Sequence, residues 1–235
     1  MRGVVSSVAE KNARVMRALS LFPVDVINLG QYDLAHAQKF LSREGYDERV
    51  ARLPMIKNLI SANGVFGPGV APPAPFVIKE VRGPRIKGGT GSLKVGFLGL
   101  SEPRHVVGGK DATVRDMFET ARALVPELRK KCDLLVLLSH ADYEPAARLA
   151  SENPEADVVI AGNTGMAYNP KLIGKTLVVS TEPANAQQGD LRVYIDRAGK
   201  LSFKFRSTDL DIGAPVNTEA DEFVQGASDD KLKQP

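Results

Sequence analysis

The sequence predicts an α/β fold, a layered sandwich with mixed sheets. Two patterns along the chain point there. In the first two-thirds, apolar runs of strand length alternate with helical patterns, as in strand–helix–strand units with parallel crossovers. In the last third, three strand-like runs follow one another as a β-meander, which argues against a purely doubly wound sheet. A third observation concerns residues 134–165, where the runs Leu-Leu-Val-Leu-Leu-Ser-His and Ala-Asp-Val-Val-Ile-Ala-Gly-Asn-Thr-Gly flank a helix. Each run ends in polar residues or a glycine turn, and strand ends of this kind hold ligands and catalysts in α/β proteins. His140 and Asn163 are therefore the first candidate site residues.

The elements follow in order. Residues 8–21 carry apolar groups at Val8, Ala13 (or Val15), Met16 and Leu19, which is helical spacing, and Pro23 marks the exit. Residues 24–29 read as a short strand before the glycine turn at Gly30. Residues 34–43 and 47–53 read as helices, and 58–62 as a strand. Three glycines and four prolines make 64–75 an irregular loop. Residues 76–82 alternate like a strand, 83–92 form a glycine-rich hairpin or loop, and 93–100 is a buried strand. After a loop at 104–111, residues 113–130 give the clearest helix, with Val114, Met117, Phe118, Ala121, Leu124, Val125 and Leu128 three and four apart. Beyond the stretch at 134–165, residues 176–180, 189–196 and 201–206 read as strands, with a hairpin turn at 196–200. The domain is expected to span 1–210, and 211–235 to form a polar, extended tail.

Composition narrows the function. The net charge is +3, from 31 basic and 28 acidic residues spread along the chain. The densest basic stretch, Arg82, Arg85, Lys87 and Lys94, lacks interleaved aromatics, so a solvated loop is favoured over a nucleic-acid patch. The single Cys132 excludes an intrachain disulfide and reads as a buried structural thiol. No run approaches the length of a membrane span. No secretory signal is visible, which implies the cytoplasm if Met1 is the true start. His36 and His105 read as surface residues, and Asp142 as the cap of the following helix through Tyr143 and Glu144. No Ser-His-Asp spacing is recognisable. Gly88-Gly89-Thr90-Gly91-Ser92 lacks a complete phosphate-loop pattern and reads as a hairpin tip.

The succession of motifs resembles a known family. It comprises Val-Ile-Asn-Leu-Gly-Gln-Tyr-Asp (26–33), Ile-Ser-Ala-Asn (60–63), Phe-Val-Ile-Lys-Glu-Val (76–81), Lys-Val-Gly-Phe-Leu-Gly-Leu (94–100), Leu-Leu-Ser-His (137–140), Asp-Val-Val-Ile-Ala-Gly-Asn-Thr-Gly (157–165) and Gly-Asp-Leu-Arg-Val-Tyr-Ile-Asp (189–196). Together these resemble the calcineurin-like metallophosphoesterases, in the branch of the 5′-nucleotidase and UDP-sugar hydrolase catalytic domain. The resemblance implies an α-β-β-α sandwich that here lacks the usual first strands. It also implies a two-metal centre that activates water against phosphoesters, built from five motifs.

On that pattern this chain departs. The first two motifs, Asp-x-His and the Gly-Asp turn, have no counterpart. The third, Gly-Asn-His-Asp/Glu, stands as Gly30-Gln31-Tyr32-Asp33, with Gln31 in a ligand position and Tyr32 in place of the catalytic His. The fourth is kept as His140. The fifth, Gly-His-x-His, stands as Gly162-Asn163-Thr164-Gly165. Gln31, His140 and Asn163 thus outline a vestigial cleft, with Tyr32 a vestigial catalytic position. One imidazole and two amides hold divalent cations weakly. The expectation is a degenerate domain with a binding, structural or assembly role and no cofactor. A strand such as 24–29 left without its neighbour invites a protein partner, self-association or an upstream segment to complete the sheet. The alternative is a weak phosphoesterase or 5′-nucleotidase that binds Mn or Zn at Gln31, His140 and Asn163.

Overall fold

The apolar runs at the middle of the chain become the centre of a six-stranded sheet in the computed structural model, which describes residues 14, 16–82, 92–105, 111–181, 187–196, 198–210, 213, 215 and 217–225. Strands β5 (Ser92–Ser101), β7 (Leu134–His140), β8 (Val158–Ala161) and β10 (Thr176–Ser180) are parallel neighbours. Parallel strands covered on both faces need apolar side chains at nearly every position, which is why these runs do not alternate. Antiparallel edges are added by β4 (Phe76–Arg82) beside β5 and by β9 (Lys171–Ile173) beside β10.

Two helices make the crossovers. One is α4 (Met117–Arg129), and the other is α5 (Tyr143–Glu152). Both pack on one face of the sheet, over Leu98, Leu100, Leu135, Leu137, Val159 and Val178. The opposite face carries Val95, Leu134, Val136, Val158, Leu177 and Val179. Over it lies a hairpin of β11 (Gln187–Ile195) and β12 (Leu201–Asp209), which buries Leu191, Val193, Leu201, Phe203 and Phe205.

A second ribbon covers the C-terminal ends of β5 and β7 on that same face. It pairs β1 (Ile27–Asn28) in parallel with β2 (Leu59–Ile60). A Cβ on Gly99 would collide with Asn28 Oδ1 and lie 2.8 Å from Ile60 Cγ1, so only glycine lets the ribbon sit this close. The outer side of the ribbon is covered by α1 (Gln31–Ala35), α2 (Gln38–Leu41) and α3 (Tyr46–Arg52), through Leu29, Leu34, Leu41, Val50 and Leu59. The order from helix layer to helix layer is α-β-β-α, as the resemblance implied.

Several boundaries differ from the sequence reading. The strand expected at 24–29 is paired only over Ile27–Asn28. The helix expected at 34–43 starts earlier, at Gln31, and breaks at His36–Ala37. Inside the loop at 64–75, β3 (Gly64–Phe66) pairs with β6 (Ala112–Val114). Val114 therefore belongs to a strand, although its spacing fits α4. The helix begins only where the Asp116 carboxylate accepts hydrogen bonds from Phe118 N and Glu119 N, both 2.8 Å. The tail read as extended contains α6 (Thr218–Gln225). The basic hairpin at 83–91 lies outside the described residues, as do residues 1–13 and the loop at 106–110. None of the described helices is long and apolar enough to cross a membrane.

Candidate functional site

The candidate site is built where β1, β5, β7 and β8 end together. Buried and half-buried polar side chains hold these ends in register. Asn28 Nδ2 donates to Leu100 O (2.8 Å) and Leu138 O (3.1 Å), so β1 is seated in the groove between β5 and β7. Ser101 Oγ donates to Leu29 O at 2.6 Å. Asn63 donates to Ser101 O and accepts from Ser101 N, and it also donates to Arg115 O. Each of these bonds satisfies a group whose burial without a partner costs about 1–3 kcal/mol, so the strand ends behave as one rigid frame.

On that frame the chain turns at Gly30 into α1. Gly30 N donates to Asp33 Oδ2 (2.9 Å), half of a capping box that fixes the first turn. The same glycine rests on the imidazole of His140, the last residue of β7. A Cβ there would lie 2.8 Å from His140 Cε1 and 3.0 Å from Nδ1. Gln31, the next residue, is therefore brought beside His140. Asn163 stands two residues beyond the end of β8, after Gly162 N has donated to Ser139 O (2.8 Å), at the same end of the sheet. Three of the four residues singled out in the sequence thus share one rim. Tyr32 does not join them in the interior. It is 76% exposed on the first turn of α1.

Sequence reasoning missed other members of the rim. Asn28, Asn63 and Ser101 carry the frame. Their signal was a polar residue at the end of an apolar run, the same signal that pointed to His140. Asp142 occupies the cap position of α5 but makes no side-chain cap bond, contrary to the reading above. Its carboxylate instead accepts from Arg104 Nη2 at 2.5 Å, and Arg104 Nε also lies 2.5 Å from Glu102. A guanidinium between two carboxylates competes better for the Asp142 oxygen than a backbone N–H does. Tyr143 stacks on Tyr168 with ring centroids 4.1 Å apart, and burial followed by the neighbouring Glu144 pushes its hydroxyl pKa up. His36 is exposed at the end of α1, as expected.

The donors of this rim do not suit a dinuclear metal centre on their own. Gln31, His140 and Asn163 supply one imidazole and two uncharged amides. Among the described residues, no three His, Cys, Asp or Glu side chains are grouped so as to hold a metal ion. Hard cations need several oxygen ligands with negative charge, and transition metals need more than one strong donor.

The fold is that of the calcineurin-like phosphoesterases. The Bacillus subtilis calcineurin-like phosphoesterase YfkN superposes with a TM-score of 0.68 at 18% identity, over 95% of this chain and 74% of that one. The chain is a relative of the metallophosphoesterases in sequence as well. It is 25% identical over 181 residues to a 2′,3′-cyclic-nucleotide 2′-phosphodiesterase/3′-nucleotidase of Haemophilus influenzae, a match that covers 71% of this chain and 27% of that protein. It is 27% identical to the metallophosphoesterase YunD of Bacillus subtilis, over 62% of this chain and 30% of the relative. It therefore spans less than a third of the length of these curated relatives. No family model matches the sequence.

Proposed function

We propose that this is a catalytically degenerate phosphoesterase-like domain with a binding, structural or assembly role. The observation that carries the reading is the donor set at the rim. Where relatives of this fold would place charged ligands and a catalytic imidazole, this chain places Gln31, an outward Tyr32 and Asn163. With Tyr32 turned to solvent no imidazole stands at that position, and the amides cannot ionise. No resident cofactor is part of this reading.

A partner completes the fold in this proposal. Ile160 lies in the interior of the sheet, between β7 and β10, yet it is 36% exposed while Val158 and Val159 are fully buried. The covering layer leaves a slot above it. One wall of the slot is β1. Leu29 N donates to Ile60 O (3.1 Å), so the strand alternation turns the peptide groups of Asn28 away from β2. An apolar floor beside a strand that has no second neighbour among the described residues suits an added strand, supplied by another protein, a second copy or a further segment of polypeptide.

One observation favours the weak-enzyme reading. His140 is kept and held rigidly against Gly30, where it could help bind Mn or Zn with Gln31 and Asn163. Metal analysis of protein purified without chelator, paired with phosphodiester and nucleotide hydrolysis in manganese, separates the two. The expected outcome is substoichiometric metal and no turnover. Stoichiometric metal with turnover lost in His140→Ala overturns the proposal.

A further inference from the structure

Residues 162–170 carry Asn163 from the end of β8 to the end of β10, and hydrogen bonds tie them to the body of the protein near their two ends. At the start, Gly162 N donates to Ser139 O in β7 (2.8 Å). Toward the far end, Tyr168 N donates to the buried hydroxyl of Ser180, the last residue of β10 (3.0 Å). There the Tyr168 ring also lies on Tyr143, with centroids 4.1 Å apart and planes inclined by 15°. Among the described residues, no hydrogen bond or ion pair joins 163–167 to the rest of the chain. The bond from Thr164 Oγ1 to Met166 O (2.7 Å) stays within the segment. Gly165, Met166 and Ala167 are exposed, and Gly165 has φ 67°.

We propose that this segment is a hinged strap that pivots at Gly162 and is latched at its far end by the Tyr143–Tyr168 stack. The two rings are not held alike. Tyr143 is fixed, because it opens α5 and packs against the core beneath that helix. Tyr168 is not part of that core; its ring rests on Tyr143 and its N–H on Ser180. Ordering the residues between the ties costs backbone entropy, and no hydrogen bond to the body offsets that cost. Loss of the ring contact therefore favours the open segment. Glycines at 162 and 165 give the backbone the freedom to swing, and Gly165 already occupies the left-handed region. When the strap is latched, Asn163 stands at the rim. When it opens, Asn163 leaves with it, while His140 stays in β7 against Gly30. The latch thus sets which polar groups the rim presents. The device does not depend on what the rim binds, so its failure is distinct from failure of the proposed function.

The test is amide hydrogen exchange followed by NMR in the full chain, with protection measured relative to the unstructured peptide. In Tyr168→Ala the amide of residue 168 should lose at least about fivefold in protection. Gly162, at the pivot, and Leu137, buried in β7, should keep theirs. The Asn163 side-chain resonances should move toward their unstructured positions. Tyr168→Phe keeps the ring and should match the native protein in every respect. Four results would each overturn the proposal: unchanged protection of residue 168 in Tyr168→Ala, an equal loss at Gly162 or Leu137, unmoved Asn163 resonances, or an effect of Tyr168→Phe as large as that of Tyr168→Ala.

Discussion

Gly30 is where a single atom decides the geometry of the rim. The glycine is needed because the His140 ring occupies the place of its missing side chain. Gly30→Ala should therefore cost about 1–3 kcal/mol in urea unfolding, as overpacking does. In NMR it should shift the His140 imidazole resonances while Tyr194 in the hairpin stays unmoved. Cys132 behaves differently. Its thiol is buried, Sγ donates to Leu128 O at 3.2 Å, and burial, opposed in part by Arg129, pushes its pKa above the ordinary thiol value. The folded state then holds the proton more tightly than the unfolded chain. The resulting stability is fully present below the ordinary thiol value and is lost as pH rises from there through the folded value. Unfolding curves should show this alkaline loss in the native protein and a smaller one in Cys132→Ala, with the native thiol slow toward Ellman's reagent.

At the scale of elements, one carboxylate joins the crossover units. Asp157 Oδ2, just before β8, accepts from Leu135 N (2.7 Å) in β7 and from Arg129 Nη1 (2.6 Å) at the end of α4. Arg129 Nη2 also donates to Cys132 O (2.5 Å). Asp157→Ala should destabilise by about 1–3 kcal/mol, because it strands a half-buried guanidinium and a strand N–H. A double-mutant cycle with Arg129→Met should return a coupling clearly different from zero. These elements were largely legible in the sequence, since Leu134 to His140 and Val158 to Ala161 carry their burial in their composition. The ribbons were less so. Gly64–Phe66 and Ala112–Val114 are each three residues long and pair across 46 positions or more, so no local pattern marks them. Ile27–Asn28 was over-read because Val24 and Val26 are apolar without being paired.

For the whole molecule, the slot above Ile160 yields a prediction about association. Ile160→Asp should lower unfolding stability, because the side chain is only 36% exposed on an interior strand and a carboxylate there is partly desolvated. It should also abolish any concentration-dependent rise in sedimenting mass seen for the native chain. A native chain that sediments as a monomer at every concentration would set aside self-association and leave a heterologous partner or a further segment to fill the slot. The tail is a second whole-molecule matter. Residues Thr218–Gln225 form a helix with Glu219 and Asp221 in its first turn, where acidic groups favour the helix dipole; the acidic composition alone had suggested an extended segment.

By itself the sequence determined the layer architecture and the residues worth testing. Apolar runs record burial, helical spacing records one covered face, His140 and Asn163 were visible as polar groups at the ends of such runs, and Gln31 and Tyr32 were singled out by the family resemblance. Only the tertiary structure decided their relations. Gly30 and His140 are more than a hundred positions apart in the chain, and they meet because Asn28 seats β1 over β5 and β7. Tyr32 turns to solvent because the first turn of α1 buries Leu34 instead. Local periodicity encodes which side of an element is apolar; the pairing of distant ends is set by packing, which no single stretch of sequence contains.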